Sequence, residues 1–398
     1  MDEKNVNNKK YCTKDSTSTI LDRWNAIWEI IKSRENNALS YYEKFLDSVQ
    51  KTKYLCLFGA GNAGESYKAD LNRQGMTVDF YCDNDMKKWG TKINGVPCIS
   101  PSELELLLEQ VTILISTQYC REIHEQLSLL GFGNIYHLPG FLFEQKEKII
   151  NNSILLNEAL WRNGFSTWAD EKSKLVYTKR LEALISTPSI DFWDEIICPV
   201  DNQYFEPEII NLDKNEVFVD AGAFTGDTLL SFINHTNGEF DKVICFEFDP
   251  ENYKKLQDTV STLPKSLSEK IECLPKGLYS TYNTFSILPI GASSTINKTL
   301  CNGGSTVYVV PLDEVVSNQV TFIKMDIEGA ELEALRGASA LIKKYRPILA
   351  ICVYHKVEDI LEIPSLINNL VPDYKFYLRH YTQIDTETVC YAIPLERT

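Results

Sequence analysis

The chain has 398 residues, a formal net charge of −15, 44% hydrophobic residues and 11 cysteines. That length accommodates two or three domains with sizeable cores, and the acidic balance argues against nucleic acid as a partner, because phosphate binding needs clustered Lys and Arg. No run approaches the roughly 18 apolar residues of a membrane span, and the polar start, Met1 to Lys14, lacks the apolar segment of a secretory signal. The cysteines lie in apolar runs (Cys56, Cys245, Cys352, Cys390) with no Cys-x-x-Cys pair. That pattern fits reduced thiols in a cytoplasmic protein better than a disulfide framework or a zinc site.

Residues 1–50 read as a polar start followed by two amphipathic helices. Leu21, Trp24, Ile27, Trp28 and Ile31 recur at helical spacing, then Tyr41, Tyr42, Phe45, Leu46 and Val49. Such faces are expected to pack on a neighbouring domain or on a second copy of the chain, so a homo-oligomer is considered. Residues 51–145 read as a truncated Rossmann-like domain. Its first strand, Tyr54 to Phe58, runs into Gly59-Ala60-Gly61-Asn62-Ala63-Gly64 and a helix to about Gln74, and the next strand ends on Asp83. Three glycines in the first turn, with an acid about 20 residues on, make the dinucleotide fingerprint. In that reading Gly59, Gly61, Asn62 and Gly64 approach phosphates and Asp83 accepts from ribose hydroxyls, although any tight strand-turn-helix can spell the same letters. Strands near 111–116 and 134–137 bring the total to about four. The run from Cys82-Asp83-Asn84-Asp85 through Trp89-Gly90 to Ile93-Asn94-Gly95-Val96-Pro97-Cys98-Ile99-Ser100-Pro101 is similar to the small Rossmann-like domains attached to bacterial sugar-modifying enzymes, such as some sugar acetyltransferases. The resemblance covers Tyr54 to about Leu138 and implies a nucleotide or nucleotide-sugar ligand rather than NAD. Residues 146–212 are charged and helical in pattern and read as a connector.

Residues 213–398 hold the stretch with the most chemistry. Val217-Phe218-Val219 suits a strand covered on both faces. It leads into Asp220-Ala221-Gly222-Ala223-Phe224-Thr225-Gly226-Asp227-Thr228 and a helix start. The pattern Asp-x-Gly-x-x-x-Gly-Asp differs from the Gly-x-Gly-x-x-Gly that cradles a pyrophosphate. It resembles the first motif of S-adenosylmethionine (SAM) dependent methyltransferases, whose cofactor carries a positive amino group and a sulfonium. A second strand ends on Glu247-Phe248, where a doubly wound sheet meets ribose hydroxyls. Asp249 with Pro250 reads as a helix cap. A hairpin is expected within Tyr282 to Val310, with Ser293, Ser294 and Asn297 near its tip. A further buried strand delivers Asp326 and Glu328 on one side of its C-terminal end, followed by Gly329, Ala330 and Glu331 at a helix start.

Together, Asp220-x-Gly222, Glu247 and Lys324-Met325-Asp326-Ile327-Glu328-Gly329-Ala330-Glu331 resemble the FkbM family of SAM-dependent methyltransferases. Arg346-Pro347 through His355-Lys356 and Tyr377-Leu378-Arg379-His380-Tyr381 extend the likeness over about Asn202 to Pro394. It implies O-methylation of a hydroxyl on a sugar, glycan precursor or secondary metabolite, with SAM held by residues 220, 222–228, 247 and 248. Phe248 stands where the family often has Pro. The expected fold is α/β with two Rossmann-like domains, the second a seven-stranded class I methyltransferase sheet whose last strands pair antiparallel. Asp326 and His355, from two strand ends, are the candidates to take the acceptor proton; His380, at another strand end, is divided between surface and site. A divalent cation on Asp326 and Glu328 is the alternative, but no third hard ligand is evident nearby, so no metal is assigned. A nucleotide-sugar or NAD enzyme driven by the first domain is the competing reading. The Tyr-x-x-x-Lys that such an enzyme would need after the fingerprint is missing.

Overall fold

The computed structural model describes residues 19–33, 37–117, 119–137, 149–186, 191–287 and 305–398. The first sheet contains β1 (Tyr54–Phe58), β2 (Phe80–Cys82), β3 (Lys92–Ile93), β4 (Val96–Ile99), β5 (Val111–Ile115) and β6 (Ile135–His137), in the order β3-β4-β2-β1-β5-β6. Its pairings are parallel except for the β3–β4 hairpin. Six strands replace the expected four. The two additional ones meet at Asn94-Gly95, both at positive φ, as a two-residue hairpin turn requires. All five residues of β5 are buried, in keeping with a parallel strand covered on both faces.

Ten more strands follow: β7 (Val217–Ala221), β8 (Lys242–Phe246), β9 (Ile271–Leu274), β10 (Gly277–Leu278), β11 (Asn283–Ile287), β12 (Ser305–Val310), β13 (Phe322–Met325), β14 (Ile348–Cys352), β15 (Tyr374–His380) and β16 (Thr388–Pro394). Seven form the second sheet, ordered β15-β16-β14-β13-β7-β8-β9. β16 is antiparallel to both of its neighbours, and the other pairings are parallel. This is the expected methyltransferase sheet. The order reverses between β7 and β13, so the C-terminal ends of these two strands flank the crevice where open α/β sheets take ligands. After β8 the chain divides between sheets: Ile271–Leu274 stays in the large one, and Gly277–Leu278 joins β12 and β11 in a small three-stranded one. The expected hairpin is present as β11 and β12; Ser293, Ser294 and Asn297 lie outside the described residues.

The two N-terminal helices part company. Ile20–Ser33 buries Trp24, Ile27, Trp28 and Ile31 against the connector, with Trp24 5.2 Å from the ring of Tyr177 and Arg162 4.4 Å above Trp28. Asn37–Lys51 covers the first sheet, where the Ser48 hydroxyl lies 2.7 Å from that of Thr112. The connector helix Glu171–Ile185 in turn packs on β15. Arg379 pairs with Asp170 at 2.7 Å, and Ser173 accepts from the backbone N–H of Leu378 at 2.9 Å. Main-chain bonds from Ala169 to Phe376 and from Cys198 to His380, each 2.8 Å, cover the outer edge of β15. All nine described cysteines are free, and among the described residues no helix is long and apolar enough to cross a membrane.

Candidate active site

The turn after β7 is built by exclusion of side chains. Gly222 has φ +76, and a Cβ there would lie 1.9 Å from the carbonyl oxygen of Asp326. Only glycine lets the β7 turn press on the end of β13, and the Asp326 N–H donates back to Ala221 at 3.1 Å. Phe224 is forced to φ +47. Its ring is exposed while Ala223 is buried, and its N–H donates to Glu247 at 2.9 Å. Gly226, at φ +93, caps the helix Asp227–His235, which puts exposed Asp227 in its first turn and buries Thr228. Thr225 is half-buried, its carbonyl accepting from Thr259 at 2.8 Å.

Asp220 is sealed beneath this turn. Its carboxylate has no exposure and stands 3.0 Å from the buried Lys324 ammonium, which also donates to the Gly222 carbonyl at 2.8 Å. Burial lifts the Asp220 carboxyl to about 6 even though Lys324 pulls it down. Asp220 therefore acts on a ligand only through the backbone that it and Lys324 hold. Glu247, at the end of β8, accepts backbone N–H groups from Phe224 and, at 2.7 Å, from Asp249, one per oxygen. Each oxygen keeps acceptor capacity for a hydroxyl. Burial pushes its pKa up to about 7, against the lowering effect of those two N–H groups. Phe248 beside it is half-buried, packed on the small core of Val307 and Val309. Asp249 is the cap expected of it, accepting from Glu251 and Asn252 at 2.9 and 3.0 Å. These residues fit the chemistry of SAM: a carboxylate for a ribose diol at Glu247, and a glycine-bounded turn before a helix N-terminus.

Across the turn lies a second centre around Asp326. Its carboxylate accepts from the phenols of Tyr204 at 2.9 Å and Tyr354 at 3.3 Å. His355 Nε2 lies 3.4 Å from Asp326 and 3.6 Å from Glu328, and its Nδ1 lies 3.0 Å from Glu331. Burial alone would lower the imidazole pKa, but Glu331, Asp326 and Glu328 outweigh it and push it up to about 9. These carboxylates favour the protonated ring, a donor; a cation bound in its place would take the neutral ring. Glu331 is fully buried at the start of the helix Glu331–Arg336, where it accepts the Ile327 N–H at 2.9 Å. The fold thus brings Glu331 and His355, which the sequence does not place beside Asp326, to its side. Glu387 closes the group, accepting from Tyr354 at 3.2 Å and Gln203 at 2.6 Å; burial, then Asp326, raises its pKa. Tyr204 and Glu387 escape the sequence reading because no spacing links them to Asp326, whereas Tyr354 stands beside the candidate His355 in the run that ends on Lys356.

His380 is neither at the surface nor in the site. It is buried in β15, bonded to Thr388 at 2.8 Å and stacked on Trp193 at 4.4 Å, and burial holds it neutral with a pKa near 3. In the first domain, Gly59 has φ +119, and a Cβ on Gly64 would lie 2.1 Å from the Gly59 carbonyl. Both glycines are therefore demanded by helix–strand packing. Gly61 faces open space, with Asn62 exposed beside it as the first residue of the helix Asn62–Arg73. Asp83 is engaged within the protein: one oxygen accepts from Ala60 and Lys88, both at 2.8 Å, and the other from Asp85 at 2.8 Å.

Residues 220–378 match a family model described as the methyltransferase FkbM domain, and residues 51–134 match one described as C2185-like, N-terminal. The crystal structure of methyltransferase FkbM from Methylobacillus flagellatus KT superposes with a TM-score of 0.73 at 21% identity, covering 94% of this chain and 100% of that one, which shows a shared fold. A UDP-D-quinovosamine 4-dehydrogenase structure from Vibrio fischeri is 26% identical over 26% of this chain and 86% of its own, with a TM-score of 0.20. The redox-sensing transcriptional repressor Rex of Anoxybacillus flavithermus is 35% identical over 106 residues, or 25% of this chain, which spans about half (49%) of that relative's length.

Proposed function

Residues 220–378 are a methyltransferase domain of the FkbM family, and from that premise we propose that the chain is a SAM-dependent O-methyltransferase acting on a hydroxyl of a sugar, a glycan precursor or a secondary metabolite. The observation that carries the reading is the contact of Gly222 with Asp326. It sets a cofactor-type turn directly against a carboxylate centre at the C-terminal ends of β7 and β13. SAM would supply an electrophilic methyl group. Glu247 would hold its ribose, the backbone of 222–226 and the first turn at Asp227 and Thr228 its amino-acid end, and Phe224 and Phe248 would offer ring surface to the adenine. Asp326, with His355 beside it, would take the proton of an acceptor hydroxyl, and the Tyr204 and Tyr354 phenols would orient it. The acidic group at 326, 328, 331 and 387 suits a neutral hydroxyl acceptor better than an anionic one near the reacting oxygen. A cytoplasmic location fits the free thiols.

A nucleotide or nucleotide sugar on the first domain remains the second reading, favoured by the open space at Gly61; a ribose contact from Asp83 would compete with its three internal bonds. The test is calorimetric binding of SAM, S-adenosylhomocysteine, NAD and UDP to wild type, Glu247→Gln and Gly61→Val, with transfer of labelled methyl from SAM to a panel of hydroxyl compounds. SAM binding weakened in Glu247→Gln and unchanged in Gly61→Val supports the proposal. Absence of SAM binding, with NAD or UDP binding lost in Gly61→Val, would shift the activity to the first domain.

A further inference from the structure

We propose that Asp326, Glu331 and His355 form a binding site for one divalent cation of hard to borderline character. One ligand atom from each residue lies within 4.8 Å of the others. The fully buried Glu331 points to a missing partner. One oxygen accepts the Ile327 N–H and faces His355; the other, Oε2, has no hydrogen-bond partner among the described residues. Neither ring nitrogen of His355 makes an aligned hydrogen bond, although Nδ1 is 3.0 Å from Glu331 and the side chain is only 9% exposed. A buried carboxylate oxygen left unsatisfied is costly. The ion pair between His355 and Glu331 accounts for one oxygen of Glu331 and leaves the second stranded; a cation held by the two residues would supply a partner to this buried group.

The donor set is two carboxylates and an imidazole. Such N/O ligands suit Mn²⁺, Mg²⁺, Zn²⁺ or Fe²⁺ rather than a thiophilic ion. They are carried on rigid elements: Asp326 at the end of β13, Glu331 in a helical first turn and His355 just beyond β14. Three protein ligands leave positions open, and the half-exposed Glu328, 3.6 Å from His355, stands at the rim. On the methyltransferase reading, on which this extension of the site rests, an acceptor hydroxyl would fill an open position and become more acidic there.

The test uses full-length protein stripped with a chelator and titrated with Mn²⁺ alone, following the free-ion electron paramagnetic resonance signal. Mg²⁺ and Zn²⁺ then compete. Wild type is expected to bind one equivalent and to melt at a higher temperature with Mn²⁺ present. His355→Ala and Asp326→Asn are expected to weaken binding at least about tenfold and to lose the thermal shift. Two substitutions guard against one that fails to fold. Substoichiometric binding to wild type, or unchanged binding in a folded variant, overturns the site. SAM binding is measured by calorimetry on the same samples with and without Mn²⁺. Protein that binds SAM but takes up no Mn²⁺ sinks the cation alone; protein that takes up Mn²⁺ but binds no SAM sinks the cofactor reading alone.

Discussion

Asp220 and Lys324 show how a motif residue can matter without touching a ligand. In the sequence Asp220 looks like a cofactor contact. In the fold it is a buried counter-ion 3.0 Å from Lys324. Removing one member of such a pair strands the other charge and typically costs about 3–5 kcal/mol. Lys324→Met is therefore expected to lower stability by that order in denaturant unfolding, and the double variant with Asp220→Asn to regain part of it. A single-variant loss below about 1 kcal/mol would mean that the pair holds nothing. Asp220→Ala is for the same reason a poor probe of cofactor binding, since it would strand Lys324; Glu247 is the better one. Its pKa near 7 makes a signed prediction. The carboxylate accepts ribose hydroxyls when ionised, so SAM affinity should be full above pH 7 and fall as the pH drops, approaching tenfold per unit. Glu247→Gln should bind more weakly, with a flat profile. A wild-type profile as flat as the variant's would remove Glu247 from the ribose.

Between elements, the site is a meeting of turns. Four of the seven described non-glycine residues with positive φ are Tyr204, Phe224, Glu328 and Glu387, and all four surround the two centres. Left-handed backbone at non-glycine residues is strained and persists where the surroundings impose it. Neither propensity nor periodicity predicts such strain, which is why Tyr204 and Glu387 went unread while the strands that carry Glu247 and Asp326 were plain. Gly222 is the point of contact. Gly222→Ala, facing the Asp326 carbonyl at 1.9 Å, must push the cofactor turn from the β13 end. Misplacement by about 1 Å can cost on the order of 100-fold in rate. Methyl transfer should fall at least that far, with far-ultraviolet circular dichroism unchanged. Retention of more than a tenth of the activity would show that the turn is free to shift.

At the scale of the molecule, the helical connector belongs with the second sheet. Trp161, Trp168 and Tyr177 are buried against the helix Ile20–Ser33 and the sheet, and segments 168–169 and 197–198 pair with the outer edge of β15. Each such aromatic buries roughly 150–250 Å², worth several kcal/mol apiece at about 25 cal/mol per Å². That compares with a total stability of about 5–15 kcal/mol for a typical domain. A fragment of residues 213–398 is therefore expected to be insoluble or molten, without a cooperative thermal transition. A fragment that melted cooperatively would show the connector to be dispensable. The first sheet touches this unit through Ile384, packed on its core, and through Arg121 with Asp194.

What the sequence determines by itself is local and periodic. The seven-stranded sheet, the cap at Asp249, the acids at 247 and 326 and the two N-terminal helices follow from runs of apolar residues and the turns between them, because strand and helix periods are written in neighbouring letters. The hairpin that adds β3 and β4 was spelled in Asn94-Gly95 but is too short for periodicity to announce. The tertiary structure alone decided what each acid faces. It sealed Asp220 under Lys324, engaged Asp83 with Ala60, Asp85 and Lys88, withdrew His380 into the core and folded Glu331 and His355 back onto Asp326. Those outcomes depend on distances between residues far apart in the chain, and a charge's partner and burial, which set its pKa and its chemistry, exist only once the chain has closed.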